Sequence, residues 1–151
     1  MPLLRHKLPP LILFVENDAK DSDLCIALLA SYESWGVYRT AFVRHGPAAL
    51  DYLRAASGKD DVPRAVVLDL NLPSMHGLEV LRAIRADPVF AQIPVVVLSS
   101  SLARTEIDEC YSAGANAYVT KPVGFLDFES AVRAIAAFWT TINVPPGLAA
   151  K

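Results

Sequence analysis

Ala65-Val66-Val67-Leu68-Asp69-Leu70-Asn71-Leu72-Pro73 holds the key to the chain: an unbroken apolar run ends in a carboxylate and then a proline turn. Polar residues do not alternate with apolar ones here, so such a strand is buried on both faces, as in a parallel sheet covered by helices. The same pattern recurs on either side. Leu11 to Val15 is an apolar run stopped by Glu16-Asn17-Asp18, and Val95-Val96-Val97-Leu98 is another, stopped by Ser99. Ala117 to Thr120 is shorter and ends at Lys121-Pro122, while Val37 to Val43, broken by Arg39 and Thr40, reads as an edge strand.

Between these runs the period changes to that of a helix. Leu24, Leu28 and Tyr32, beside Cys25 and Leu29, predict a helix capped by Asp21 or Ser22 and ended by Gly36. Gly46-Pro47 opens a second, with Ala49, Leu50 and Leu53 on its apolar side and Ser57-Gly58 already in a loop. Leu78, Leu81 and Ile84 mark a third from Gly77 to Arg85, closed by Asp87-Pro88. A polar helix over about 104–112 ends at Gly114, and the last helix starts near Asp127. Five strands alternating with helices predict an α/β, doubly wound parallel sheet with right-handed crossovers. In such sheets ligands bind outside the carboxyl ends of the strands.

Composition narrows the function. A chain of 151 residues has room for one domain, and 53% apolar with 20% charged residues excludes general disorder. The formal charge of −2 offers no basic field for nucleic acid. Cys25 and Cys110 lack zinc or redox spacing and read as reduced core thiols. The first fifteen residues mimic a leader, but Pro9-Pro10 interrupt them and no small-residue cleavage site follows. No run is long enough to span a membrane, so the expected setting is the cytoplasm, away from membranes. The expected division is an arm over 1–10, a domain over 11–142 and a tail over 143–151. His6, His45 and His76 share no face and are expected at the surface.

Every strand end carries polar chemistry: Glu16, Asn17 and Asp18, then Asp69, Ser99 and Lys121. Parallel strands bring these residues together. Crowded carboxylates raise one another's pKa unless a divalent cation neutralises them, and a hard ion such as Mg²⁺ suits oxygen ligands. Lys121 and Ser99 are then free to hold an anion. Plainer roles remain open for single residues: Asp69 as a turn former, Ser99 as a helix cap, Tyr118 as sheet surface.

In this order the stretches Val15-Glu16-Asn17-Asp18, Leu68 to Pro73 with Gly77, Ser99, and Ala117 to Pro122 resemble a response-regulator receiver domain, the phosphoacceptor module of two-component signalling. The resemblance implies a flavodoxin-like (βα)5 fold with strand order 2-1-3-4-5 and a single-domain regulator with no output domain of its own. It implies Asp69 as phosphoacceptor, Lys121 and Ser99 as phosphoryl-binding groups, and Ser99 with Tyr118 as the switch. Mg²⁺ would be held by Glu16, Asn17, Asp69 and the backbone carbonyl of Asn71, and the Lys121-Pro122 peptide would be cis. The chain is further similar to stand-alone regulators that partner bacterial phytochromes, through Glu16 and the apolar segment containing Phe138-Trp139. A sensor histidine kinase of bacteriophytochrome type is the partner so implied. Such a protein is a phosphorylated switch rather than an enzyme.

Asn17 departs from the pattern, since receivers normally carry a metal-binding aspartate there. The alternative is therefore a phosphate-independent pseudo-receiver acting as a dimeric scaffold. Flavin electron transfer on the same fold is disfavoured because Glu16 and Asp18 would repel a flavin phosphate. Finally, Phe125, Phe128, Val132, Ile135, Trp139 and Ile142 form a helical stripe, and Ala134 to Ala150 contains no ionisable side chain. A homodimer through Phe128, Ile135, Trp139 and Ile142 is expected, with packing inside the monomer as the alternative.

Overall fold

A computed structural model describes residues 8–34, 37–59 and 61–146. The strands are β1 (Leu11–Val15), β2 (Arg39–Val43), β3 (Ala65–Leu68), β4 (Val95–Ser99) and β5 (Ala117–Thr120). The helices are α1 (Ala19–Ser34), α2 (Gly46–Gly58), α3 (Gly77–Ala86), α4 (Arg104–Ser112) and α5 (Phe125–Ala137), which runs into a π-helical turn at Phe138–Ile142. All neighbouring strands pair in parallel, in the order β2-β1-β3-β4-β5. This is the flavodoxin-like receiver order that the sequence implied.

Because side chains alternate along a strand, each apolar run feeds two cores. Leu13, Val15, Val66, Leu68, Val95 and Val97 face one side and pack with Leu53, Leu81 and Ile84 of α2 and α3. Ile12, Phe14, Val67, Val96 and Leu98 face the other and pack with Leu29 of α1 and Phe128 and Val132 of α5. Each large apolar side chain so buried contributes roughly 1.5–3 kcal/mol. The edge strands β2 and β5 are only half-buried along their length.

Several helix ends differ from expectation. Asp18, not Asp21 or Ser22, caps α1: its Oδ1 accepts from the amides of Lys20 (2.8 Å) and Asp21 (3.2 Å). Ser22 is buried, and its hydroxyl donates to the Glu16 carbonyl at 3.3 Å. α2 continues through Gly58 because the Ser57 hydroxyl bonds back to the Leu53 carbonyl at 2.7 Å and so stays within the helical pattern. α5 begins at Phe125, with Gly124 as its N-cap, two residues before Asp127. The expected stop at Gly36, the Tyr32 side chain, His6, the arm before Leu8 and the tail after Pro146 lie outside the described residues.

The apolar stripe of α5 is largely consumed by the domain itself. Phe128 and Ile135, expected at a dimer interface, are buried at 5% and 6% exposure in the core beneath α1 and α5, and Trp139 packs against the same core. Only Ile142 of the expected four stands exposed, at 66%. The π-helical turn is the reason: its wider hydrogen bonding, closed by the Asn143 amide on the Phe138 carbonyl at 2.7 Å, shifts the phase of the stripe. Thr140 takes the buried position instead, bonded to the Ala136 carbonyl at 2.6 Å.

At the amino ends of the strands lies a cavity of roughly 390 Å³, bordered by Leu8, Pro10, Arg39, Asp61, Pro94 and Pro145. Arg39 closes one wall through its ion pair with Asp61 at 2.6 Å. Among the described residues no helix is long and apolar enough to cross a membrane.

Candidate functional site

β1 and β3 are neighbours, and Val15 is in register with Leu68, so Glu16 and Asp69 leave the sheet side by side. Lys121 leaves β5, its amide bonded to the Ser99 carbonyl at 2.8 Å, and its side chain reaches back over the ends of β4 and β3. The Lys121 Nζ lies 2.7 Å from Glu16 Oε2, 2.9 Å from Asp21 Oδ2 and 3.2 Å from Asp69 Oδ2. An ammonium has three N–H donors, so this set of acceptors is full. Lys121, Glu16 and Asp69 are nearly buried, whereas the Asp21 side chain remains 30% exposed.

Three carboxylates around one ammonium leave two surplus negative charges, which shows in the acidities. Burial pushes the Glu16 carboxyl up to about 7, and its hydrogen bond and charge contact with Asp69 add to that, although Lys121 pulls the other way. Burial opposes the Lys121 charge, but the hydrogen bonds that the ammonium donates to Glu16 and Asp21 and the charge of Asp69 outweigh it and hold the ammonium above its ordinary range.

The segment after β3 is bent tightly around Asp69. The Asn71 amide donates to Asp69 Oδ1 at 3.2 Å, and the Gly77 amide closes the loop on the Leu70 carbonyl at 2.9 Å. A Cβ at Gly77 would sit 2.3 Å from the Asp69 carbonyl oxygen, so only glycine lets α3 start this close. Ser74, with φ of 67°, is the one non-glycine residue in the left-handed region among the described residues.

Residues 12–133, most of the chain, match the family model described as the response regulator receiver domain. The chain belongs to this family. The receiver is 38% identical over 141 residues to the "Probable methanogenesis regulatory protein FilR2" of Methanothrix harundinacea, covering 92% of this chain and 89% of that protein. It is 34% identical over 140 residues to the response regulator Rcp1 of Synechocystis sp., covering 91% and 94%. The structure of the Mn²⁺-bound form of Rcp1 matches with a TM-score of 0.79 over 91% of this chain and 99% of that one. That of the phosphorylated cyanobacterial phytochrome response regulator RcpA matches with a TM-score of 0.83 and 34% identity, over 91% and 99%. The receiver is thus similar to the response regulators of phytochromes.

Of the expected site residues, the fold brings Glu16, Asp69 and Lys121 into contact. Ser99 is fully buried at the end of β4, and its Oγ accepts from the Ser101 amide at 3.3 Å. The Tyr118 hydroxyl donates to the Ser101 carbonyl at 2.8 Å, so Ser101 joins both expected switch residues. Asn17 and Asp18 are exposed in the turn after β1, and Asp18 is occupied by its cap. Asn71 is likewise exposed. Among the described residues no peptide is cis, so Lys121-Pro122 is trans, against the expectation. The two isomers before proline differ by only about 0.5–1 kcal/mol, too little for sequence to decide.

Asp21 is the site residue that sequence reasoning missed. Its signal was present in the spacing, since a residue in the first turn of α1 faces the strand ends that the helix covers. His45 and His76 are exposed as expected, but each has work: His45 caps α2 on the Ala48 amide, and His76 caps α3 on the Leu78 amide, both at 3.1 Å. Among the described residues no group of three or more His, Cys, Asp or Glu is arranged to hold a metal. The carboxylates of Glu16, Asp21 and Asp69 are hard oxygen donors of the kind that suits a divalent ion, and all three lie against Lys121.

Proposed function

We propose that this receiver takes a phosphoryl group on Asp69 from the phosphohistidine of a sensor histidine kinase, of phytochrome type, and passes the signal on by changing its protein contacts. The observation that supports this most is the Asp69 carboxylate, 7% exposed and held at the mouth of the sheet by Lys121. Likeness to the phosphorylated RcpA structure adds to it.

In the transfer, an Asp69 oxygen forms a bond to phosphorus as the P–N bond to the histidine breaks, and the imidazole nitrogen keeps the electron pair. The Asn71 amide on the other carboxylate oxygen fixes the attack direction. Lys121 meets the charge on the transferred oxygens. Glu16, Asn17, Asp69 and the Asn71 carbonyl would hold Mg²⁺, which supplies charge neutralisation at those oxygens when bound. Ser99 would turn its hydroxyl to the new phosphoryl group and give up the Ser101 amide. Tyr118, tied to the Ser101 carbonyl, would feel that change and bias the surface of α4 and β5.

A second copy of the chain is proposed as a further partner, through Ile142 and Val144, which stand 66% and 69% exposed beyond α5. The test of the main reading is labelling from a kinase together with beryllofluoride binding in Mg²⁺. Wild type should show both and Asp69→Asn neither. Equal labelling of the two proteins would overturn the assignment, and a wild type that binds no beryllofluoride would favour the scaffold.

A further inference from the structure

We propose that Asp21 is a positioning residue that holds Lys121 in the unphosphorylated protein and is the acceptor released when a phosphoryl group arrives on Asp69. The inference rests on phosphoryl transfer to Asp69 and concerns how that site is regulated.

The argument begins with donor counting. Lys121 spends its three N–H groups on Glu16, Asp21 and Asp69, so an incoming phosphoryl oxygen finds no free donor. One contact must be exchanged. Lys121 cannot shift bodily, because its amide is held on the Ser99 carbonyl at 2.8 Å and only the side chain can swing. Asp69 carries the incoming group and so stays beside Lys121, and Glu16, only 8% exposed, has little water to turn to if it loses the ammonium. Asp21 is 30% exposed and lies in the first turn of α1, where water and the positive end of the helix stabilise its charge after the ammonium departs. It is the contact that costs least to break.

Asp21 therefore stabilises the resting state over the occupied one. Its removal should favour the occupied state, whereas loss of a merely structural support would weaken it. This sign separates the two roles.

The experiment is beryllofluoride titration at saturating Mg²⁺, with water exchange of the Lys121 ammonium protons followed by NMR in the ligand-free protein. Asp21→Asn should bind beryllofluoride roughly three- to fivefold more tightly, in line with losing one partly exposed ion pair. Asp21→Glu should return to the wild-type value, and the Lys121 ammonium should exchange faster in Asp21→Asn than in wild type. Asp23→Asn, an exposed carboxylate on the same helix, controls for a general loss of negative charge and should leave binding unchanged. Unchanged or weaker binding by Asp21→Asn, an equal gain in Asp23→Asn, or identical ammonium exchange in wild type and Asp21→Asn would each overturn the inference alone. A wild type that binds no beryllofluoride overturns the proposed function and this inference with it.

Discussion

Replacing Asp69 by asparagine should make the metal-free protein more stable at alkaline pH relative to its stability in mild acid. Glu16 carries the effect. Its carboxyl is raised from an ordinary value of 4.5 to about 7, so the folded protein holds that proton more tightly than the unfolded chain. Stability from Glu16 is then fully present below pH 4.5, is lost as pH rises through about 7, and stays lost above. At about 1.4 kcal/mol per tenfold change in acidity, the loss is on the order of 3 kcal/mol. With the Glu16 side chain only 8% exposed, solvent screens little of it. Burial is the largest cause and survives the substitution, while the hydrogen bond and charge of Asp69 disappear. Asp69→Asn should therefore recover about 1–2 kcal/mol between pH 5 and pH 8. Lys121 keeps two of its three carboxylates, and the Asn71 amide keeps an oxygen acceptor. Urea unfolding across that range in a chelator reads the difference directly. A variant with the wild-type pH slope would refute the reasoning.

Other expectations follow from single contacts. Asn17→Asp should tighten Mg²⁺ by about 1 kcal/mol in calorimetry, because it adds a charge in a solvated turn beside the carboxylates. Gly77→Ala should cost about 2–4 kcal/mol in urea unfolding, since the added Cβ would sit 2.3 Å from the Asp69 carbonyl oxygen. Arg85→Lys should cost about 2–3 kcal/mol: the guanidinium donates to the carbonyls of Gly114, Ala91 and Ile93 and to Asn116 Oδ1, a fork that an ammonium cannot reproduce. Light scattering at micromolar concentration should show a dimer for the full chain and a monomer for Ile142→Asp.

The strands were legible because burial on both faces writes itself as an unbroken apolar run; β3 and β5 have the predicted limits at Ala65–Leu68 and Ala117–Thr120. The strand-end cluster followed from parallel pairing alone. What resisted was side-chain choice among near-equals. Asp18, Asp21 and Ser22 are all good caps, and only packing decides that Asp18 caps α1, Ser22 goes inward and Asp21 meets Lys121. The phase of the α5 stripe was lost for a similar reason. An α-helical period carries Ile142 onto the buried face, and the π-helical turn, which no residue type in Phe138–Ile142 announces, carries it away.

The cavity at the amino ends of the strands has a bearing on engineering. Leu8 and Pro10 border it from the approach to β1, and Pro145 and Pro146 border it from the segment beyond the π-helical turn. The two ends of the described chain thus converge on one pole of the domain, while Asp69 and Lys121 occupy the opposite pole. A short linker joining Leu8 to Pro146 would run across that one cavity, so a chain circularly permuted between these residues should keep its fold and leave the acidic pole untouched. Fluorophores or binding modules attached beside Leu8 and Pro146 would border the same cavity, which makes this pole the natural place to build a sensor that reports on the other.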